Sequence, residues 1–231
     1  MSDKTNICIR ATVFNSNIPP VETKLLPTIT GSEIIDHVQY LLENEVNKKK
    51  NKTDLDFSNQ KYVVLLCYTL PPPLKLKVYK VLPNDSDLNS FLQIYSTKIL
   101  DVILYPAEMN IKVVTPDDQS LTLRFESDMP ASKIIEKICK DTFHMDAISD
   151  YGIYTSKKFL MDPISGNRSL IEVSPSIETI YLLRRFWLKT VKNISKETEI
   201  DFNYRQAKNI VFDEHFYYKY FKYIELVAIS L

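Results

Sequence analysis

Cys139 and His144 are five residues apart, and a thiol beside an imidazole is the chemistry of a cysteine nucleophile with its base. The pattern around them argues against that use. Cys139 follows Ile135 by four positions, which puts it on the apolar face of a predicted helix. An active thiolate needs a polar, partly exposed setting, so Cys139 reads as a core thiol. Cys8, Cys67 and Cys139 form no C-x-x-C pair and no disulfide framework, and we read them as reduced thiols of a cytosolic protein. His37 and His215 have no cysteine or carboxylate at ligand spacing, so no metal site is expected. The 3 glycines, Gly31, Gly152 and Gly166, are too few and too scattered for a phosphate-cradling loop. The sequence therefore predicts no enzyme and no cofactor.

The remaining chemistry-bearing residues are cations. Lys48, Lys49, Lys50 and Lys52 follow a predicted helix C-terminus, where positive charge is favoured and a solvated loop is the ordinary outcome. The sharper reading is attraction to anionic lipid, at about 1 kcal/mol per lysine near such a surface. Arg184, Arg185, Lys189 and Lys192 make a second patch, with Phe186 and Trp187 between them, suited to a phosphoinositide headgroup. The bland alternative is a linker whose arginines pair locally. Pro71-Pro72-Pro73 reads as a turn between strands rather than a polyproline ligand. Lysine plus arginine equals aspartate plus glutamate at 29 each, so the basic excess of a nucleic-acid binder is missing.

An internal repeat orders the elements that carry these residues. Ser32-Glu33-Ile34-Ile35-Asp36-His37-Val38 returns as Ser132-Lys133-Ile134-Ile135-Glu136-Lys137-Ile138. Each copy puts isoleucines on one helix face behind a capping residue, Thr30 or Ser32 in the first and Ser132 in the second. Strands are predicted before each helix, at 7–14 and 21–26, then at 110–114 and 120–125. Others follow at 62–69, 74–81 and 99–105, then at 151–154 and 180–183. Two strands, a helix and further strands describe the ubiquitin-like β-grasp. The fold class is α+β, with two tandem β-grasp lobes at 1–106 and 107–189. The start of an all-α lobe follows at 190–231. Its first helix, 200–211, sets Tyr204, Ala207 and Val211 on one side, and 216–231 reads as a second, strongly aromatic helix. The 45% hydrophobic content suffices for packed cores. No apolar run is long enough to span a bilayer, and Met1-Ser2-Asp3-Lys4-Thr5 does not open a secretory signal.

Four stretches carry a resemblance: Lys137-Ile138-Cys139-Lys140, Asp150-Tyr151-Gly152-Ile153, Glu178 to Phe186, and Tyr204-Arg205-Gln206-Ala207-Lys208-Asn209-Ile210. In this order and spacing the chain resembles the FERM domain family, in the extended form of talin-like heads. The detail lies within 110–212. The resemblance implies a non-enzymatic cytoskeletal adaptor at the cytoplasmic face of the plasma membrane, active in cell adhesion. Its partners would be anionic lipids or phosphoinositides. Adhesion-receptor tails and actin would be reached through parts of a longer protein, because the helical lobe stops early at Leu231. The resemblance also implies an alternative, a Ras-association-type module for a Ras/Rap-family small GTPase within a larger FERM-containing protein such as a myosin or a phosphatase. There, Lys24 on the second strand matches a basic position of the GTPase-binding surface.

Overall fold

Alternation of β-branched and polar residues sets the first strand. In β1 (Ile7–Val13), Ile9, Ala11 and Val13 are buried and Arg10 points outward. The computed structural model describes residues 6–48, 60–70, 72–92, 99–145, 148–156, 163–185 and 197–212, without the side chains of 47–48 and 209–212. It contains two sheets with few helices, an α+β arrangement.

The first sheet joins β1 to β2 (Val21–Leu25), β3 (Tyr62–Thr69), β4 (Lys77–Leu82) and β5 (Ile99–Pro106), in the order β2-β1-β5-β3-β4. β1 and β5 are parallel, and the other pairs are antiparallel. Helix α1 (Gly31–Lys48) follows β2. Its Ile34, Val38 and Leu42 are fully buried, in one core with Val64, Leu66, Leu100, Val102 and Leu104. Ile35 packs at the margin of that core. The cap of α1 is Thr30. Its backbone N–H and hydroxyl both donate to the Glu33 carboxylate, at 2.8 and 2.9 Å, and its hydroxyl oxygen accepts from the Glu33 N–H at 3.4 Å. Those bonds hold the Glu33 carboxyl below its usual range. A short helix, α2 (Leu88–Leu92), leads towards β5.

The second sheet has β6 (Glu108–Val114), β7 (Ser120–Glu126), β8 (Tyr151–Tyr154) and β9 (Thr179–Arg184), in the order β7-β6-β9-β8. β6 runs parallel to β9, and β8 antiparallel to it. The order is that of the first sheet without a counterpart of β4. Helix α3 (Ala131–Glu136) continues as a π-helical turn over Lys137–Thr142, closed by the Phe143 N–H to Ile138 carbonyl bond at 3.2 Å. The wider turn buries Ile138 and Cys139 side by side. Ser132 is not the cap expected of it. Pro130 occupies that position without a side-chain bond, and Ser132 is exposed.

Backbone anchors replace the missing cap, and they repeat. Gly31 and Ser32 donate to the carbonyls of Ser86 and Asn84, both at 3.0 Å. Ala131 and Ser132 donate to those of Arg168 and Gly166, at 2.8 and 3.0 Å. Both helices thus begin by handing two otherwise orphaned N–H groups to a later turn. The approach at Gly31 is close: a Cβ there would lie 2.5 Å from the Pro83 carbonyl oxygen.

By packing, the chain divides into two compact units, one of 1–109, 126–128 and 169–176, the other of 110–125, 129–168 and 177–231. Segments 126–128 and 169–176 thus count with the first unit. Helix α4 (Leu170–Val173) belongs to the first unit and packs on β4. Its Glu172 is buried and accepts from the backbone N–H groups of Val81 at 3.0 Å and Ser169 at 3.2 Å, with Lys80 Nζ at 3.0 Å. The Tyr105 hydroxyl donates to the Pro175 carbonyl at 2.9 Å. Helix α5 (Glu197–Phe212) belongs to the second unit. Among the described residues no helix is long and apolar enough to cross a membrane.

Candidate partner-binding surfaces

The expected cationic patches are placed unequally. Of the lysine run, Lys48 ends α1 as backbone only, and Lys49, Lys50 and Lys52 lie outside the described residues. So do Lys189 and Lys192. Arg184 and Arg185 are adjacent in sequence and opposite in environment. Arg185 is exposed, and its aliphatic stem crosses Gly152, where a Cβ would meet its Cγ and Cδ at 2.9 Å. Arg184 is buried, with its side chain 2% exposed and its guanidinium donating to Asp150 Oδ2 at 3.1 Å. It is therefore a structural cation of the second unit and not the lipid contact that the sequence suggested. The reason is strand alternation. In β9, Ile180, Leu182 and Arg184 share the inward face, and Asp150 pairs with the Arg184 guanidinium there.

The same place explains how α5 docks. Gln206 treats the end of β9 as a strand would. Its Oε1 accepts from the Arg184 N–H at 2.8 Å, and its Nε2 donates to the Arg184 carbonyl at 3.2 Å. The Tyr151 hydroxyl donates to Asn203 Oδ1 at 3.2 Å, and Phe202 meets Phe143 edge to face at 5.1 Å. The side that carries Tyr204 is not the docked one: Tyr204 is 58% exposed, while Phe202, Asn203 and Gln206 are buried. A helix that satisfies backbone groups at a sheet end needs amides there, and hydrophobic periodicity does not register them. Pairing the polar side chains with the exposed backbone groups of β9 was the legible signal that the apolar pattern hid.

Lys24 is exposed on β2, an edge strand of the first sheet. It faces away from α1, on the face where Arg10 bonds Asp101 at 2.7 Å. On the other face of β2 the Thr23 hydroxyl lies 3.3 Å from His37 Nε2. A cleft of about 760 Å³ separates the start of β2 from α1, lined by Pro19, Pro20, Val21, Glu22, Tyr40, Leu41, Asn44 and Glu45.

Two of the three thiols, Cys67 and Cys139, are buried. Burial pushes the Cys139 thiol up to about 12, with a further push from the nearby Glu199 carboxylate. Burial likewise raises Cys67. His144 is exposed and its Nδ1 lies 3.2 Å from the Lys140 carbonyl. Pro72 and Pro73 lie in the β3–β4 turn, and Pro71 and His215 lie outside the described residues. No group of three His, Cys, Asp or Glu among the described residues could hold a metal ion. No known family model matches the chain, and no curated protein matches it.

Proposed function

We propose that the chain is a FERM-type head, built from two tandem β-grasp lobes and the opening helix of a helical lobe. On this reading it is a non-catalytic adaptor that holds a larger protein at the cytoplasmic face of the plasma membrane and links adhesion receptors to actin. One observation carries it. Both sheets have the same strand order around a parallel pair of inner strands, and both place their first helix after the second strand with matching backbone anchors. The docking of α5 against β9 through Gln206 adds the third part. The membrane contact falls to Lys48, Lys49, Lys50 and Lys52, and to Arg185 with Lys189 and Lys192, because Arg184 is engaged inside. Co-sedimentation with phosphatidylserine vesicles tests this, with each group changed to alanine in turn. Loss of sedimentation in one variant names the patch. Full sedimentation in both variants removes these two patches from the account.

A second reading has its own observation. Lys24 stands exposed on an edge strand, where a partner strand can extend the sheet. This is the arrangement of a module that recruits a Ras/Rap-family GTPase. Titration with the GTP-loaded protein, before and after Lys24→Glu, separates it: saturable binding lost in the variant favours recruitment, and no binding dismisses it.

A further inference from the structure

One end of the first sheet gathers exposed apolar side chains and lysines. Seven large apolar side chains are exposed among the described residues, and Leu26, Ile99, Leu74 and Leu76 are four of them, at 48 to 61%. Leu74 and Leu76 project from the β3–β4 turn, which is closed by the Leu70 N–H to Leu76 carbonyl bond at 2.9 Å. Leu26 directly follows the last residue of β2, and Ile99 opens β5. Strand register fixes their common location. Lys24 pairs with Cys8, Cys8 with Ile99, and Thr69 with Lys77. Carrying the Cys67–Asp101 register two residues further along sets Thr69 opposite Ile99. The row Lys24-Cys8-Ile99-Thr69-Lys77 thus crosses all five strands, with a lysine at each end.

The charge around this row has one sign. Between Asp56 and Asp85 the sequence holds no acidic residue, and Lys75 and Lys77 alternate with Leu74 and Leu76. Glu22 and Asp101 lie two rows inward on the same face, where Arg10 stands between them and bonds Asp101. Leucines standing out of a braced turn, with lysines beside them, match the boundary of an anionic bilayer. The apolar tips enter the acyl margin while the long lysine side chains keep their ammonium groups among the headgroups. A protein partner would bring acidic side chains to the same lysines, whereas the alternation of leucine with lysine along 74–77 suits a lipid boundary. We infer that this sheet end is a membrane-insertion surface, with the β3–β4 turn entering an anionic leaflet. The inference rests on the membrane-facing reading above and names a contact separate from its cationic patches.

The test is site-specific insertion by the full chain. Trp187 is the only tryptophan, so Leu74→Trp in a Trp187→Phe background gives one reporter on an exposed position. Phosphatidylserine vesicles should shift its emission to the blue, and bromine-labelled acyl chains should quench it, while phosphatidylcholine vesicles do neither. Lys75→Ala with Lys77→Ala should lower vesicle partition roughly thirtyfold, the loss of two interfacial lysines at about 1 kcal/mol each. A chain that sediments with phosphatidylserine while the reporter stays unshifted and unquenched overturns this inference alone. A chain that fails to sediment at all overturns the membrane-facing reading with it.

Discussion

Arg184 and Arg10 show how burial decides what an arginine is for. Arg10 pairs with Asp101 at 2.7 Å with both side chains substantially exposed, and solvent screening leaves such a pair little weight in stability. Arg184 pairs with Asp150 at 3.1 Å inside the second unit. Removing it leaves a carboxylate poorly answered and takes packing from the β9 face. Arg184→Ala should therefore cost about 3 kcal/mol, and Arg10→Ala far less, read as the change in urea midpoint at constant slope. Equal costs would show that the burial assignment is wrong. Cys139 supplies a pH dependence. Its thiol is held up to about 12 in the folded chain, above the ordinary 9.0. A raised value means that the folded state keeps a proton the unfolded chain releases. The contribution to stability is complete below pH 9 and is lost as pH rises from 9 towards 12. Cys139→Ala should flatten the fall in thermal midpoint across that window. An unaltered slope would place the thiol elsewhere. Sequence spacing alone foretold that Cys139 is a core thiol, because the helical period is strong there. It could not tell Arg184 from Arg185, since both are arginines and only strand register separates inside from outside.

At the scale of elements, the strand pattern was largely legible. β3 (Tyr62–Thr69) matches its predicted run at both ends because a strand buried on both faces reads as continuous apolar sequence. β4 starts at Lys77 rather than at the predicted 74, because Leu74 to Leu76 alternate like a strand while lying in an exposed turn. The docked face of α5 did not read as an apolar stripe, since Asn203 and Gln206 are buried on it beside Phe202. Helix α4 was not foreseen, although Ser169 before it and Glu172 within it have the spacing of a capping pair. Four residues are too short for a periodicity to show. The repeat also carries a quantitative expectation. Ile135 is 8% exposed on α3, so Ile135→Ala should cost about 2–4 kcal/mol through the cavity left beneath the second sheet. A denaturant midpoint equal to the parent's would show that the isoleucine face points away from the core.

For the whole molecule, the repeat located two copies of one strand-and-helix order, but packing drew the unit boundaries differently. Segment 169–176 joins the first unit because the buried Glu172 is tied to β4 and Tyr105 to Pro175, contacts that no local pattern announces. The functional account is likewise a property of the whole chain. With 29 positive and 29 negative residues there is no general attraction to a membrane, so binding must come from local patches at close range. Screening over about 8 Å at physiological salt makes that binding weak and steeply salt-dependent. Sedimentation of the unaltered chain with phosphatidylserine and with phosphatidylcholine vesicles, from low to physiological salt, tests the adaptor reading most directly. The account predicts binding to the anionic vesicles alone, strongest at low salt and falling as salt is added. A chain that stays in the supernatant with phosphatidylserine at the lowest salt would contradict it.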